Sequence, residues 1–182
     1  YADANLTAAI NGTAFGIFHN QGQACIAASR LIIHESVADE FLAGFLELAR
    51  SIRLGDPKDP NTEMGPLTSV MHRDRVLSYI DVAISEGGEV LTGGKAPEGA
   101  QFANGCYIEP TVVRVGHETR AACEEVFGPF MTVHTFRTDE EALAIANTGD
   151  YGLGGGLWTQ NLSRAHKVAR ELRAGMVWVN AY

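Results

Sequence analysis

The sequence predicts an α/β fold: a largely parallel sheet with helices on both faces, a three-layer α/β/α arrangement. Two observations carry this. Short apolar runs alternate along the chain with longer segments whose apolar residues recur at helical spacing. Those longer segments reach about 10–15 residues, the length a crossover between parallel strands needs. In order, Asp3 reads as the N-cap of a helix carrying Leu6, Ile10, Ala14, Ile17 and Phe18 on its apolar positions. A Gly- and Gln-containing break follows, and then the short strand Leu31-Ile32-Ile33. Phe41, Leu42, Phe45, Leu46, Leu48 and Ile52 mark an amphipathic helix opening near Ser36. Gly55-Asp56-Pro57 and Gly65-Pro66 are turn signals around a polar loop. Val76, Tyr79, Ile80, Val82, Ala83 and Ile84 form the next helix, ended by Gly87-Gly88. Val90-Leu91 is a brief strand, and residues 93–105 a Gly-rich surface hairpin or loop. The remaining strands are Thr111-Val112-Val113, Met131-Thr132-Val133, Gly156-Leu157-Trp158 and Met176-Val177-Trp178-Val179. Helices over 139–147 and 162–172 separate the last three.

The chain has 182 residues, one domain with its own core, and no repeat or linker divides it. Hydrophobic residues are 46% and charged residues 20%, a globular composition. The formal charge is −8 with no basic stripe, so nucleic acid is not an expected partner. No apolar run approaches the roughly 20 residues that span a bilayer. The chain starts at Tyr1 rather than Met and reads as a fragment of a longer protein. Cys25, Cys106 and Cys123 form no CxxC pair, and the histidines form no cluster. No disulfide framework and no metal site are expected, and a reducing, cytoplasmic setting fits.

Two segments carry chemistry. The first is Phe18-His19-Asn20-Gln21-Gly22-Gln23-Ala24-Cys25-Ile26-Ala27-Ala28-Ser29. It places one thiol where a helix ends and the chain turns among small residues. Backbone N–H groups there are able to stabilise a thiolate or an oxyanion. Residue type alone favours a buried packing cysteine. The second is Glu124-Glu125-Val126-Phe127-Gly128-Pro129-Phe130, by itself a polar turn leading into a strand. Gly152-Leu153-Gly154-Gly155-Gly156 has the look of a phosphate loop but precedes a strand, whereas phosphate loops open a helix.

Both segments resemble signatures of the aldehyde dehydrogenase superfamily: aromatic-x-Asn-x-Gly-Gln-x-Cys, and Glu-[Ile/Val]-Phe-Gly-Pro. The resemblance runs the whole length. Met64-Gly65-Pro66-Leu67, Gly105-Cys106-Tyr107-Ile108-Glu109-Pro110-Thr111-Val112, Tyr151-Gly152-Leu153 and Ala174-Gly175-Met176-Val177-Trp178-Val179-Asn180 follow in the family's order. It implies a single catalytic domain over residues 1–182. Cys25 is implied as the nucleophile. Glu125 is implied at the nicotinamide ribose and Phe127 at the nicotinamide. Arg75 stands where several relatives carry a ribose-contacting Lys and is implied at the cofactor site, with His72 a similar candidate. Ala24 and Ile26 flank the nucleophile and border the substrate pocket. His19, often an aromatic in relatives, either faces the substrate entrance or packs.

The implied reaction is oxidation of a small-molecule aldehyde to a carboxylic acid with NAD or NADP. Its implied intermediates are a thiohemiacetal and a thioester on Cys25. Family analogy leaves open a coenzyme-A-acylating variant and a non-catalytic protein on the same fold. The resemblance also implies an upstream Rossmann-type domain holding most of the dinucleotide, a general-base Glu in a Glu-Leu-Gly-Gly segment, and an Asn completing the oxyanion hole. C-terminal strands completing a homodimer or homotetramer are likewise implied for the full-length protein.

Overall fold

A computed structural model describes all residues 1–182. Its strands are β1 (Arg30–His34), β2 (Glu89–Thr92), β3 (Thr111–Arg114), β4 (Phe130–Phe136), β5 (Gly154–Leu157) and β6 (Met176–Val179). Its α-helices are α1 (Leu6–Phe18), α2 (Glu35–Ser51), α3 (Val70–Ser85), α4 (Arg120–Cys123), α5 (Asp139–Ala146) and α6 (Leu162–Glu171). The main sheet has the order β1-β4-β3-β2. β4 runs parallel to both β1 and β3, and β2 is antiparallel on the edge. β5 and β6 form a separate parallel pair.

The period-2 side-chain alternation of strands explains the layers. Ile33, Val112, Met131 and Val133 face one side and pack against Ala9, Ile17 and Phe18 of α1 and Phe41 and Phe45 of α2. Val113 and Phe130 face the other side, against Val76, Ile80 and Ala83 of α3 and Ala121 of α4. Phe136 and Ile32 continue that second face under Ala142 and Ile145 of α5. Leu157 and Val177 of the small sheet pack with Leu143 and Val168. The main sheet is thus covered on both faces, as a parallel sheet requires. No helix is long and apolar enough to cross a membrane.

The structure corrects three expectations. The N-cap of α1 is Asn5, whose Oδ1 accepts from Ala8 N–H at 3.1 Å. Asp3 is drawn away by the start of α6: it accepts from the Thr159 hydroxyl and from the N–H groups of Gln160 and Asn161. β5 covers 154–157 rather than 156–158. The strands form two sheets rather than one. The outer edges of β1 and β5 line a shared cleft through residues such as Leu31, Ile33, Gly155 and Leu157.

Candidate active site

α1 stops at Phe18, and the chain then makes three consecutive left-handed residues: Asn20 (φ 50°), Gln21 (φ 57°) and Gly22 (φ 67°). Asn tolerates that region, Gln less so. The turn is held by its own bonds. Asn20 Nδ2–H donates to Gln23 O at 2.9 Å, and Gln23 Nε2–H to Gln21 Oε1 at 3.2 Å. Gln23 Oε1 also accepts from Thr68 N–H at 3.0 Å, which fastens the turn to the Gly65-Pro66 loop. A Cβ on Gly22 would stand 2.0 Å from Gly128 O, so the two signature segments touch backbone to backbone. A Cβ on Gly128 would in turn meet Val76 of α3 at 2.7 Å.

Cys25 follows this turn and is exposed, against the packing role its residue type favours. Its backbone N–H donates to no acceptor in the chain. Behind it, Ala28 N–H donates to Gly16 O at 2.9 Å and locks the segment onto α1. Tyr182 Oη–H donates to Ile26 O at 2.8 Å. Burial, and secondarily the nearness of Cys25, push the Tyr182 phenol above its ordinary pKa. Sequence reasoning missed Tyr182, a single residue outside any motif. Its contact partner is far away in the chain.

The second segment separates two adjacent glutamates. Glu124 accepts from Tyr79 Oη–H at 2.8 Å and from Arg120 Nε–H at 2.9 Å. The Arg120 hydrogen bond, then that of Tyr79, holds its carboxyl below the ordinary range. The carboxylate of Glu125 has no protein partner and faces solvent at the cleft. Phe127 has φ 63°, uncommon for a residue with a Cβ. Three donors on α3 hold the turn: Arg75 reaches Glu125 O and Val126 O, each at 2.7 Å, and His72 Nε2 reaches Phe127 O at 2.6 Å.

One cleft of about 440 Å³ brings together Ala24, Cys25, Ile26, Glu125, Phe127 and Tyr182. His19 and Arg75 do not line it. His19 is exposed, stacked on Phe15 at 4.6 Å, and Phe15 meets Tyr182 edge-on at 6.1 Å. No cluster of His, Cys, Asp and Glu is arranged to hold a metal ion.

The fold and the cleft define an α/β domain that presents an exposed thiol and a free carboxylate in one cleft. The profile of the Aldehyde dehydrogenase family matches it over residues 1–182, and the chain belongs to that family. It is 44% identical over 183 residues to a betaine aldehyde dehydrogenase of Cereibacter sphaeroides, covering all of this chain and 37% of that one. A 2-hydroxymuconic semialdehyde dehydrogenase of a Pseudomonas species is 42% identical over 184 residues, covering all of this chain and 38% of that one. Among solved structures, PnpE of Pseudomonas sp. WBC-3 superposes with a TM-score of 0.98 at 66% identity, over 99% of this chain and 37% of that one. PnpE has also been crystallised with nicotinamide adenine dinucleotide. This chain therefore spans little more than a third of the length of the relatives it matches.

Proposed function

We propose that this chain is the cysteine-bearing part of an NAD(P)-dependent aldehyde dehydrogenase that oxidises a small-molecule aldehyde to its acid. The observation that carries the reading is the cleft. It joins an exposed thiol with an unengaged backbone N–H to a carboxylate that no protein group occupies and to the ring of Phe127, which His72 meets edge-on at 6.2 Å.

The Cys25 thiolate attacks the aldehyde carbon, forming a C–S bond while the carbonyl π electrons move to oxygen. The Cys25 N–H is free to donate to that oxyanion. When bound, the nicotinamide supplies the acceptor for the hydride that leaves the thiohemiacetal carbon, whose oxyanion collapses to a thioester on Cys25. Water then hydrolyses the thioester and frees the thiol. Glu125 suits the ribose because a carboxylate accepts from both hydroxyls. Phe127 offers a flat apolar face to a flat ring. Arg75 belongs to the same site through its hold on their turn. Ala24 and Ile26, half-buried beside the thiol, border the aldehyde, while His19 stacks on Phe15 outside the cleft lining. A free thiol nucleophile suits a reducing, cytoplasmic setting. Assembly of the full-length protein as a homodimer or homotetramer belongs to the same reading.

The test is Cys25→Ala in the full-length protein. Aldehyde oxidation should fall to less than about a thousandth, because the covalent route is removed. NAD affinity should stay within about twofold, since Cys25 lends the dinucleotide little binding energy. A variant that keeps a substantial share of turnover refutes the proposal.

A further inference from the structure

We infer that Arg75 and His72 are positioning residues for the dinucleotide site, acting on three consecutive carbonyls rather than on the cofactor itself. The inference rests on the reading of Glu125 and Phe127 as cofactor residues. The two donors sit three positions apart on α3, so they share one face of the helix. Arg75 places Nη2 on Glu125 O and Nη1 on Val126 O, each at 2.7 Å, and His72 Nε2 lies 2.6 Å from Phe127 O. A carbonyl partner requires the His72 proton on Nε2.

Three held carbonyls fix three successive peptide planes. The backbone of this turn is not that of a helix or strand, and its Phe127 stands at φ 63°, a conformation that persists only where its surroundings enforce it. The direction of the Glu125 side chain and the face of the Phe127 ring follow from those planes. The grip continues into the nucleophile turn, since Gly128 packs on Val76 of the same helix and on Gly22 before Cys25.

The geometry also shows why a charge contact with the cofactor is the poorer account of Arg75. Its guanidinium is forked across two carbonyls and lies over the Tyr79 ring at 5.2 Å from the centroid. Arg75 does not line the cleft, whereas Glu125 and Phe127 do. A lysine ammonium is a point donor and cannot reproduce a planar fork.

The experiment compares Arg75→Lys, Arg75→Gln, His72→Leu, His72→Gln and Glu125→Gln in the full-length protein, with NAD varied and with deuterated aldehyde. If the residues act through the turn, Arg75→Lys is as impaired as Arg75→Gln. Both lose about tenfold in kcat and show a larger deuterium isotope effect, with the KM for NAD changed less than about threefold. His72→Gln, whose amide N–H restores a donor, recovers most of what His72→Leu loses. Arg75→Lys combined with Glu125→Gln is little worse than Glu125→Gln alone. Normal kinetics for Arg75→Lys, with Arg75→Gln raising only the KM for NAD, would show a direct charge contact and overturn the inference. A lowered Tm with an unchanged isotope effect would reduce both residues to plain structural roles. If the Arg75 variants do not fold, the His72 pair decides by the same measures. Silence of Glu125→Gln would instead remove the cofactor reading beneath the inference. An impaired Glu125→Gln beside normal Arg75→Lys and His72→Leu would overturn the inference alone.

Discussion

At the residue scale, two glycines bring the signature segments into contact. Gly22→Ala combines a left-handed backbone, φ 67°, with a Cβ placed 2.0 Å from Gly128 O. That oxygen belongs to backbone and cannot swing aside. The variant should lose about 2 kcal/mol or more of stability and over about tenfold of activity, read by denaturant midpoint and kcat. Wild-type values would show that the contact is slack. The adjacent glutamates make a second test. Glu125→Gln should slow hydride transfer and enlarge the isotope effect with deuterated aldehyde, while Glu124→Gln should lower Tm slightly and leave kcat alone. The reverse pattern would exchange their roles. Family resemblance singled out Cys25, Glu125 and Phe127 in the sequence, and the structure brings the three to one cleft. The resemblance did not reveal the touch between Gly22 and Gly128, the grip of Arg75 on carbonyls, or Tyr182. Those are contacts between residues far apart in the chain, and no local pattern encodes them.

At the scale of elements, periodicity found the long helices because each buries an apolar stripe. It missed α4, four residues with no room for a stripe, and it displaced β5, where three successive glycines offer no side chains to alternate. Asp3 and Asn5 are equally good caps by residue type. The choice was made by Thr159 and its neighbours capturing Asp3 across the molecule. One buried group in β4 predicts a pH dependence. His134 Nδ1–H donates to Val115 O at 3.1 Å, and Thr132 Oγ1 lies 3.0 Å from Nε2. Burial, then the Arg30 charge, lowers its pKa to about 4 from 6.5. Its folded value lies below its unfolded value, so the unfolded chain binds the extra proton between them. The stability due to neutral His134 is complete above about pH 6.5 and is lost as pH falls towards about 4, roughly 3 kcal/mol in all. Denaturant titrations of wild type and His134→Gln across that window check this. The variant should show a shallower slope, and an equal slope would assign the acid sensitivity elsewhere.

At the scale of the molecule, β1 pairs only with β4 and β5 only with β6, and their open edges line the same cleft as Cys25. Sequence patterning indicated strands and crossovers but not which edges meet. Pairing depends on register and on what else packs there, and the expectation of one sheet became two. Open parallel edges template pairing with other chains. Residues 1–182 expressed alone should therefore self-associate, bind NAD more weakly than about 100 μM, and turn over no aldehyde, since Glu125 and Phe127 offer few contacts to offset the cost of ordering a flexible dinucleotide. Light scattering, calorimetric titration with NAD and an aldehyde-dependent NADH assay check the three outcomes. Micromolar binding, or turnover that disappears in Cys25→Ala, would show that this part of the protein is self-sufficient.

If Cys25 carries the acyl group, that group can be trapped on it. The full-length protein is mixed with aldehyde and NAD, quenched in acid within one turnover, digested and weighed by mass spectrometry. The account predicts the acyl mass on the peptide holding Cys25, rising and decaying at rates that match kcat. Steady turnover with the acyl mass on another residue, or on none, would contradict it.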